Sequence, residues 1–144
     1  MQIRPMDVGD VDGVAAIEAC SPSPWSEAAI AAELRRSGGY ALVATEENGE
    51  VAAWCCGLQV GVEAELLKIA VVPGGRRKGL ARSLLTELCS RFTLRGVEKI
   101  FLEVRGRNHP ALQLYSGLGW RETGRRSSYY SDPVDDAVML VRRI

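Results

Sequence analysis

The residues with the clearest chemical meaning lie in one short segment, VPGGRRKGLA at positions 72–81. Two glycines, three consecutive cations and a further glycine stand between a nearly unbroken apolar run and a helix-like pattern. Such a layout directs backbone N–H groups and the positive end of a helix dipole at an anion. The segment therefore predicts a phosphate site, although in isolation it also fits an ordinary glycine turn followed by a solvated charge run.

Two familiar phosphate loops do not fit this segment. Gly74 and Gly79 have the G-x-x-x-x-G spacing of a nucleotide P-loop, but Leu80 stands where that loop requires lysine. Ala81 likewise replaces its serine or threonine. No G-x-G-x-x-G motif follows any predicted strand, so a Rossmann dinucleotide site is not expected either.

The elements that must position this segment follow from apolar periodicity and from the turn residues between the apolar runs. Strands are predicted at residues 2–5, 40–45, 50–58, 66–72, 99–105, 120–130 and 137–143. Helices are predicted after an Asp10 cap, after a Ser26 cap, from Gly79 to Gly96, and from Pro110 to Leu118. The order βααβββαβαββ indicates an α/β (α+β) protein with a mixed sheet, antiparallel at first and connected through helices later.

Composition limits the class of protein further. With 144 residues, 47% of them hydrophobic, the chain is expected to form a single domain over residues 1–144. Its formal net charge of zero provides no overall field for binding nucleic acid or a membrane, so neither partner is expected. The four cysteines form no C-x-x-C pair, and Cys55 and Cys56 should be buried thiols on opposite strand faces. No metal site, leader or membrane span is expected, which favours a cytoplasmic protein.

Several motifs together resemble one enzyme family. Residues 76–81, RRKGLA, fit the R/Q-x-x-G-x-G/A signature of the GNAT acetyltransferase superfamily. Downstream, FLEVR at 101–105 and ALQLY at 111–115 are similar to the RimI type, the ribosomal-protein-alanine N-acetyltransferases. The PWSE motif at 24–27 and SYYS at 128–131 also resemble that type, so the resemblance spans almost the whole chain. It implies the GNAT fold, a mixed sheet of about seven strands with about four helices.

The resemblance also implies acetyl-CoA as the acetyl donor, with no metal. Its diphosphate would rest on backbone amides of residues 76–81, where the cations matter less as charges than as suppliers of amides. Asn108 would hydrogen-bond CoA, unless it is only a turn or cap residue. The implied donor-binding residues are Ile69, Ala70, Val71, Arg76, Arg77, Lys78, Gly79, Leu80, Ala81 and Asn108.

Acetyl transfer to an amine needs a base, because a protonated nitrogen has no lone pair with which to attack. Strand alternation puts Glu103 on the face opposite Ile100, Leu102 and Val104. The resemblance makes Glu103 the general base, whereas the residues alone also fit an ion pair with Arg105 or another basic neighbour. Tyr115 would be the general acid, or simply a core aromatic.

The acceptor is predicted from aromatic residues near both ends of the chain. Trp25, Tyr129 and Tyr130 either pack internally or line a peptide groove. The resemblance favours the N-terminal alanine of a small-subunit ribosomal protein as acceptor. Two alternatives stay open: a GNAT enzyme that acetylates lysine or a small-molecule amine, and a non-catalytic module that binds acyl-CoA or the ribosome.

Overall fold

The computed structural model describes residues 1–75 and 79–144, which form one seven-stranded sheet with helices on both faces. The strands are β1 (Gln2–Pro5), β2 (Gly39–Thr45), β3 (Val51–Val60), β4 (Glu63–Val71), β5 (Lys99–Arg105), β6 (Arg121–Ser131) and β7 (Val134–Arg143). The α-helices are α1 (Val11–Glu18), α2 (Glu27–Ala32), α3 (Leu80–Leu94) and α4 (His109–Gly117). Short 3₁₀ turns lie at Val8–Asp10, Glu33–Arg35 and Pro73–Gly75. The predicted order of strands and α-helices is confirmed.

The sheet has the spatial order β1-β2-β3-β4-β5-β7-β6. Its first four strands form an antiparallel meander, and α3 then crosses over to place β5 parallel to β4. Strand β7 inserts antiparallel between β5 and β6. The mixed sheet predicted from the sequence is therefore present, with its single parallel pair at the centre.

Each face of the sheet has its own apolar core. On one face α3 and α4 cover the sheet with buried side chains that include Leu84, Leu88 and Phe92. On the other face α1 and α2 pack against Trp54 and its neighbours. The adjacent cysteines separate as predicted, Cys55 into the first core and Cys56 into the second. Burial raises the pKa of the Cys55 thiol to about 12, so it behaves as a small apolar side chain.

The helix starts show one correct and one incorrect cap prediction. Ser26 caps α2 as predicted, because its Oγ accepts a hydrogen bond from the Ala29 N–H at 3.1 Å. Asp10 makes no side-chain cap bond to α1. Its carboxylate instead accepts from the Asp7 N–H at 2.9 Å and from the Arg4 guanidinium at 2.7 and 2.9 Å. The Asp10 prediction was wrong because β1 offers this buried carboxylate a stronger donor than a helix amide.

The Arg4–Asp10 pair should make stability depend on pH. The Arg4 hydrogen bonds hold the pKa of Asp10 below its ordinary value, so the pair stabilises the fold above that value. The contribution is lost as the pH falls through the folded pKa. Near neutral pH, Arg4→Met should lower the free energy of unfolding by about 1–3 kcal/mol.

Urea unfolding of both proteins at several pH values checks this expectation. The difference between them should shrink as the pH falls below about 4. A difference that stays constant down to the acid limit would show that the arginine stabilises the fold without its charge partner.

Candidate active site

The central feature of the site is a split between β4 and β5. The two strands pair at Glu63–Lys99, Ala64–Ile100 and Glu65–Phe101. No further ladder pair joins them, although the structure describes both strands in full, to Val71 and to Arg105. A register shift on the β3 side, at Cys56–Gly57, marks a bulge in β4 just past the last pair. Since a bulge bends its strand, β4 diverges from β5 and opens the centre of the sheet.

The diverging part of β4 contains three of the predicted donor-binding residues. Ile69, Ala70 and Val71 remain paired with β3, so the edge of β4 toward β3 is satisfied. All three are only half-buried in spite of their central position. Alternate N–H and C=O groups point into the split, where a chain that carries amides can hydrogen-bond in the manner of an added strand.

The corner between β4 and α3 lies at the wide end of this split. Gly79 has φ 77°, a left-handed conformation that favours glycine, and α3 begins at the next residue. Because the first N–H groups of a helix have no intrahelical partner, Gly79, Leu80 and Ala81 present donors at the positive end of a fifteen-residue helix. The predicted residues Arg76, Arg77 and Lys78 lie outside the described residues.

Gly75 is the buried residue on which this corner packs. A Cβ at position 75 would lie 2.9 Å from Leu80 Cδ1 and 2.9 Å from Val72 Cγ1. Gly75→Ala should therefore shift the start of α3, with a cost in unfolding free energy of about 1–3 kcal/mol. We expect weaker binding of acetyl-CoA in calorimetric titration and a lower melting temperature.

Gly74→Ala is the matched control for this prediction. A Cβ at position 74 would meet no described atom within 4 Å, so both measurements should stay close to wild type. Equal loss of affinity in the two variants would mean that glycine flexibility, and not packing at the corner, supports binding.

Glu103 lies on β5 with its side chain 27% exposed, opposite to the buried face of that strand, as predicted. It lines a cavity of about 340 Å³ on the sheet face that carries α1 and α2. The other side chains around this cavity include Leu58, Val60, Glu63, Glu65, Phe101 and Met139. A carboxylate therefore stands in a partly apolar hollow that solvent and a ligand can enter.

The cation beside Glu103 is a basic neighbour, Arg126, and not Arg105. Arg105 donates to the carbonyls of Pro133 and Asp132 at 2.9 and 3.4 Å, in the β6–β7 turn. Arg126 on β6 lies nearest to the carboxylate, with Nη1 3.8 Å from Oε1. This distance is too long for a hydrogen bond, and both side chains are partly exposed, so the pair is weak. The Glu103 carboxylate is thus free to accept a hydrogen bond from water or an amine.

Tyr115 is buried at the end of α4 and packs edge-on against Trp120, with 5.7 Å between ring centroids. Burial raises the pKa of its hydroxyl well above the ordinary value for tyrosine. Its burial and its ring contact fit the core aromatic considered from the sequence, and the role of general acid stays a prediction.

Asn108 acts as the cap of α4, because its Oδ1 accepts a hydrogen bond from the Ala111 N–H at 3.3 Å. This is the alternative that the sequence left open. The residue is exposed, and a contact between Asn108 and CoA stays a prediction.

The three aromatic residues predicted to contact the acceptor lie in two places. Trp25, in the loop between α1 and α2, is half-buried and packs edge-on against Trp54 at 5.6 Å. Tyr129 and Tyr130 form an edge-on pair at 5.2 Å near the end of β6, where Tyr129 is 50% exposed. Arg126 stacks over Tyr129 and Arg105 over Tyr130. Trp25 therefore also belongs to the core, whereas Tyr129 is open to a ligand.

Sequence reasoning missed the roles of Glu18 and Arg126 in this region. Glu18 ends an amphipathic helix, where a carboxylate is normally solvated, yet it is fully buried and binds Trp25, Trp54 and Lys68. The apolar setting of Lys68 in β4 was the one available signal that a buried carboxylate had to lie nearby.

Two negative findings apply to residues 1–75 and 79–144. Their His, Cys, Asp and Glu side chains form no group of three that could hold a metal ion. No helix within these ranges combines the length and the apolar character needed to cross a membrane.

The split central sheet opens toward the N-terminus of α3, an arrangement that this chain shares with known enzymes. The model of the acetyltransferase (GNAT) family matches residues 12–120, so the chain belongs to this family of acetyl-CoA-dependent acetyltransferases. The GNAT fold predicted from the sequence is confirmed.

Individual relatives point to one type within the family. Over 119 residues the chain is 38% identical to the ribosomal protein bS18-alanine N-acetyltransferase of Escherichia coli strain K12. This alignment covers 81% of the chain and 79% of the relative. The crystal structure of the ribosomal-protein-S18-alanine N-acetyltransferase from Escherichia coli superposes with TM-score 0.91 at 34% identity, covering 99% and 93% of the two chains. The predicted RimI type is confirmed by these similarities.

The fold is also shared with a more distant acetyltransferase. The Sinorhizobium meliloti phosphinothricin acetyltransferase, solved in complex with acetyl-CoA, is 21% identical with TM-score 0.86. The superposition covers 99% of this chain and 88% of that one.

Proposed function

We propose that this chain transfers the acetyl group of acetyl-CoA to the α-amino group of an N-terminal alanine in a small-subunit ribosomal protein. The observation that carries the proposal is the position of Glu103, a partly exposed carboxylate in an open cavity beside the split sheet. The similarity to ribosomal-protein-alanine N-acetyltransferases supports this acceptor. The proposal treats residues 1–144 as one catalytic unit that works in the cytoplasm, where ribosomal proteins are made.

The split and the β4–α3 corner fit acetyl-CoA. Backbone groups of residues 69–71 would bind the amide-containing arm, and the amides of residues 76–81 would bind the diphosphate. Asn108 would add a side-chain hydrogen bond from the cap of α4. When bound, acetyl-CoA supplies an activated thioester carbonyl, which a free amine can attack without help from a metal.

Glu103 would act as the general base. The acceptor α-amine has a pKa of about 8, so part of it is protonated near neutral pH. Glu103 accepts a proton from this nitrogen, directly or through one water, and leaves its lone pair available. The weak Arg126 contact, at 3.8 Å, leaves the carboxylate oxygen accessible for this transfer.

Tyr115 would act as the general acid. Burial raises the pKa of its hydroxyl, so the hydroxyl is protonated before the reaction. It would donate this proton to the sulfur of CoA as the thioester C–S bond breaks. The edge-on contact with Trp120 fixes the ring of Tyr115.

The acceptor peptide would enter between Trp25 on one side and the Tyr129–Tyr130 pair on the other. Flat side chains bury extended peptide at a low entropic cost. The cavity in which Glu103 stands lies on the same sheet face as the Trp25 loop, which fits an acceptor that approaches from that face.

A peptide assay tests the choice of acceptor. With acetyl-CoA, a peptide with a free N-terminal alanine should gain about 42 Da on its α-nitrogen, because one acetyl group replaces one proton. A matched peptide with a blocked N-terminus and an internal lysine should stay unmodified. Acetylation of the lysine peptide alone would favour the competing lysine-acetyltransferase function.

Substitution of the two catalytic candidates tests the chemistry. Glu103→Gln should lower kcat by about 10²–10⁴-fold, the usual contribution of a general base, and leave acetyl-CoA binding nearly intact. Tyr115→Phe should also lower kcat, with little change in melting temperature, because the ring still packs on Trp120.

Glu122→Gln is the matched control, since Glu122 is an exposed carboxylate on β6 that pairs with Arg125. It should keep wild-type turnover. A wild-type protein that binds acetyl-CoA but acetylates no amine would instead indicate the non-catalytic module.

A further inference from the structure

The α1–α2 loop is held by a buried carboxylate that the proposed chemistry does not use. Glu18, the last residue of α1, is 0% exposed. Its Oε1 accepts a hydrogen bond from the Trp25 N–H at 2.9 Å, and its Oε2 accepts one from Trp54 Nε1 at 2.9 Å. One carboxylate thus fixes both the backbone of Trp25 and the ring against which Trp25 packs.

Lys68 connects the same loop to the split. Its Nζ lies 3.4 Å from Glu18 Oε1 and donates to the carbonyl oxygen of Ser23 at 2.9 Å. The lysine side chain is 17% exposed and projects from the part of β4 that has already diverged from β5. The ammonium therefore joins the loop to the strand whose opposite edge faces the split.

Net stability does not explain this arrangement. Removing two charges from water costs several kcal/mol, and apolar residues in place of a buried ion pair are often neutral or stabilising. The loop at positions 19–26 contains two prolines and three serines, and Trp25 is its main apolar contact with the core. The hydrogen bonds to the Ser23 carbonyl and from the Trp25 N–H fix the backbone of this loop, which side-chain packing alone does not.

We propose that Glu18 and Lys68 are positioning residues for the acetyl acceptor. They hold the segment from Ser23 to Trp25 against β4. The loop surface that the acceptor contacts therefore has a fixed position relative to the split. The inference rests on the proposed function only in taking Trp25 as an acceptor contact. Neither residue touches the reacting atoms in this account.

Kinetics of Lys68→Met test the inference, because methionine keeps most of the stem and removes the ammonium. The KM for the acceptor peptide should rise by about tenfold or more, the effect of losing a hydrogen bond to a charged group. The dissociation constant for acetyl-CoA should stay near wild type, and Lys68→Arg should restore most of the acceptor KM.

Arg4→Met is the matched control, because it also removes a cation from a buried carboxylate, that of Asp10 beside the edge strand β1 and at the opposite end of α1 from Glu18. It should lower the melting temperature without a change in acceptor KM. Equal KM values for Lys68→Met and Arg4→Met would overturn the inference, as would an acetyl-CoA affinity that falls in parallel with the acceptor KM.

Hydrogen exchange of the Trp25 amide, followed by NMR, gives a readout that needs no turnover. Exchange should be slow in the wild type and clearly faster in Lys68→Met, while Arg4→Met leaves it slow. Unchanged protection in Lys68→Met would overturn the inference even if the proposed function holds. Conversely, if the peptide with N-terminal alanine is not a substrate, faster Trp25 exchange still supports the positioning role.

Discussion

The rest of the structure depends on one interrupted ladder. A sheet is normally most stable when every interior strand is paired along its full length, yet β4 and β5 stop pairing after three residues each. Two firm attachments keep the opening from collapsing. Strand β4 stays paired with β3 along its outer part, and β5 pairs with β7 from Lys99 to Arg105. The buried leucines of α3 belong to the same apolar core as Ile100, Leu102 and Val104 of β5.

The two faces of this opened sheet do different work. One face is covered by α3 and α4, and Tyr115 is buried in the core on that side. The other face is covered by α1 and α2 only over the first strands, and Glu103 and the tyrosines of β6 remain accessible. In the proposed function, the candidate base Glu103 therefore lies on the exposed face of the sheet and the candidate acid Tyr115 in the buried core of the other face.

The order of elements could be predicted because local signals agree with the global fold. Alternation along β5 and the glycine before α3 each act over a few residues, and each was interpreted correctly. The failures involve contacts between distant residues. Asp10 was expected to cap α1 because a local capping rule takes no account of Arg4, six positions earlier. Arg105 was one partner considered for Glu103, and its contacts with the β6–β7 turn carbonyls are not visible from the strand alone. The Glu18 contacts, 7 and 36 positions along the chain, join α1 to a loop and to β3, so no periodicity within one element reveals them.

The edge of β4 that faces the split affects how an enzyme of this family can evolve to accept new substrates. Recognition through main-chain groups is indifferent to side-chain identity, so the outward and inward side chains of residues 69–71 can vary while the hydrogen-bonding pattern toward the split persists. In the proposed function, the acceptor in contrast contacts side chains carried by the α1–α2 loop and the end of β6. Substitutions in those two segments can therefore change which amine is acetylated while the donor-binding backbone stays the same. Acceptor specificity can thus evolve separately from donor binding.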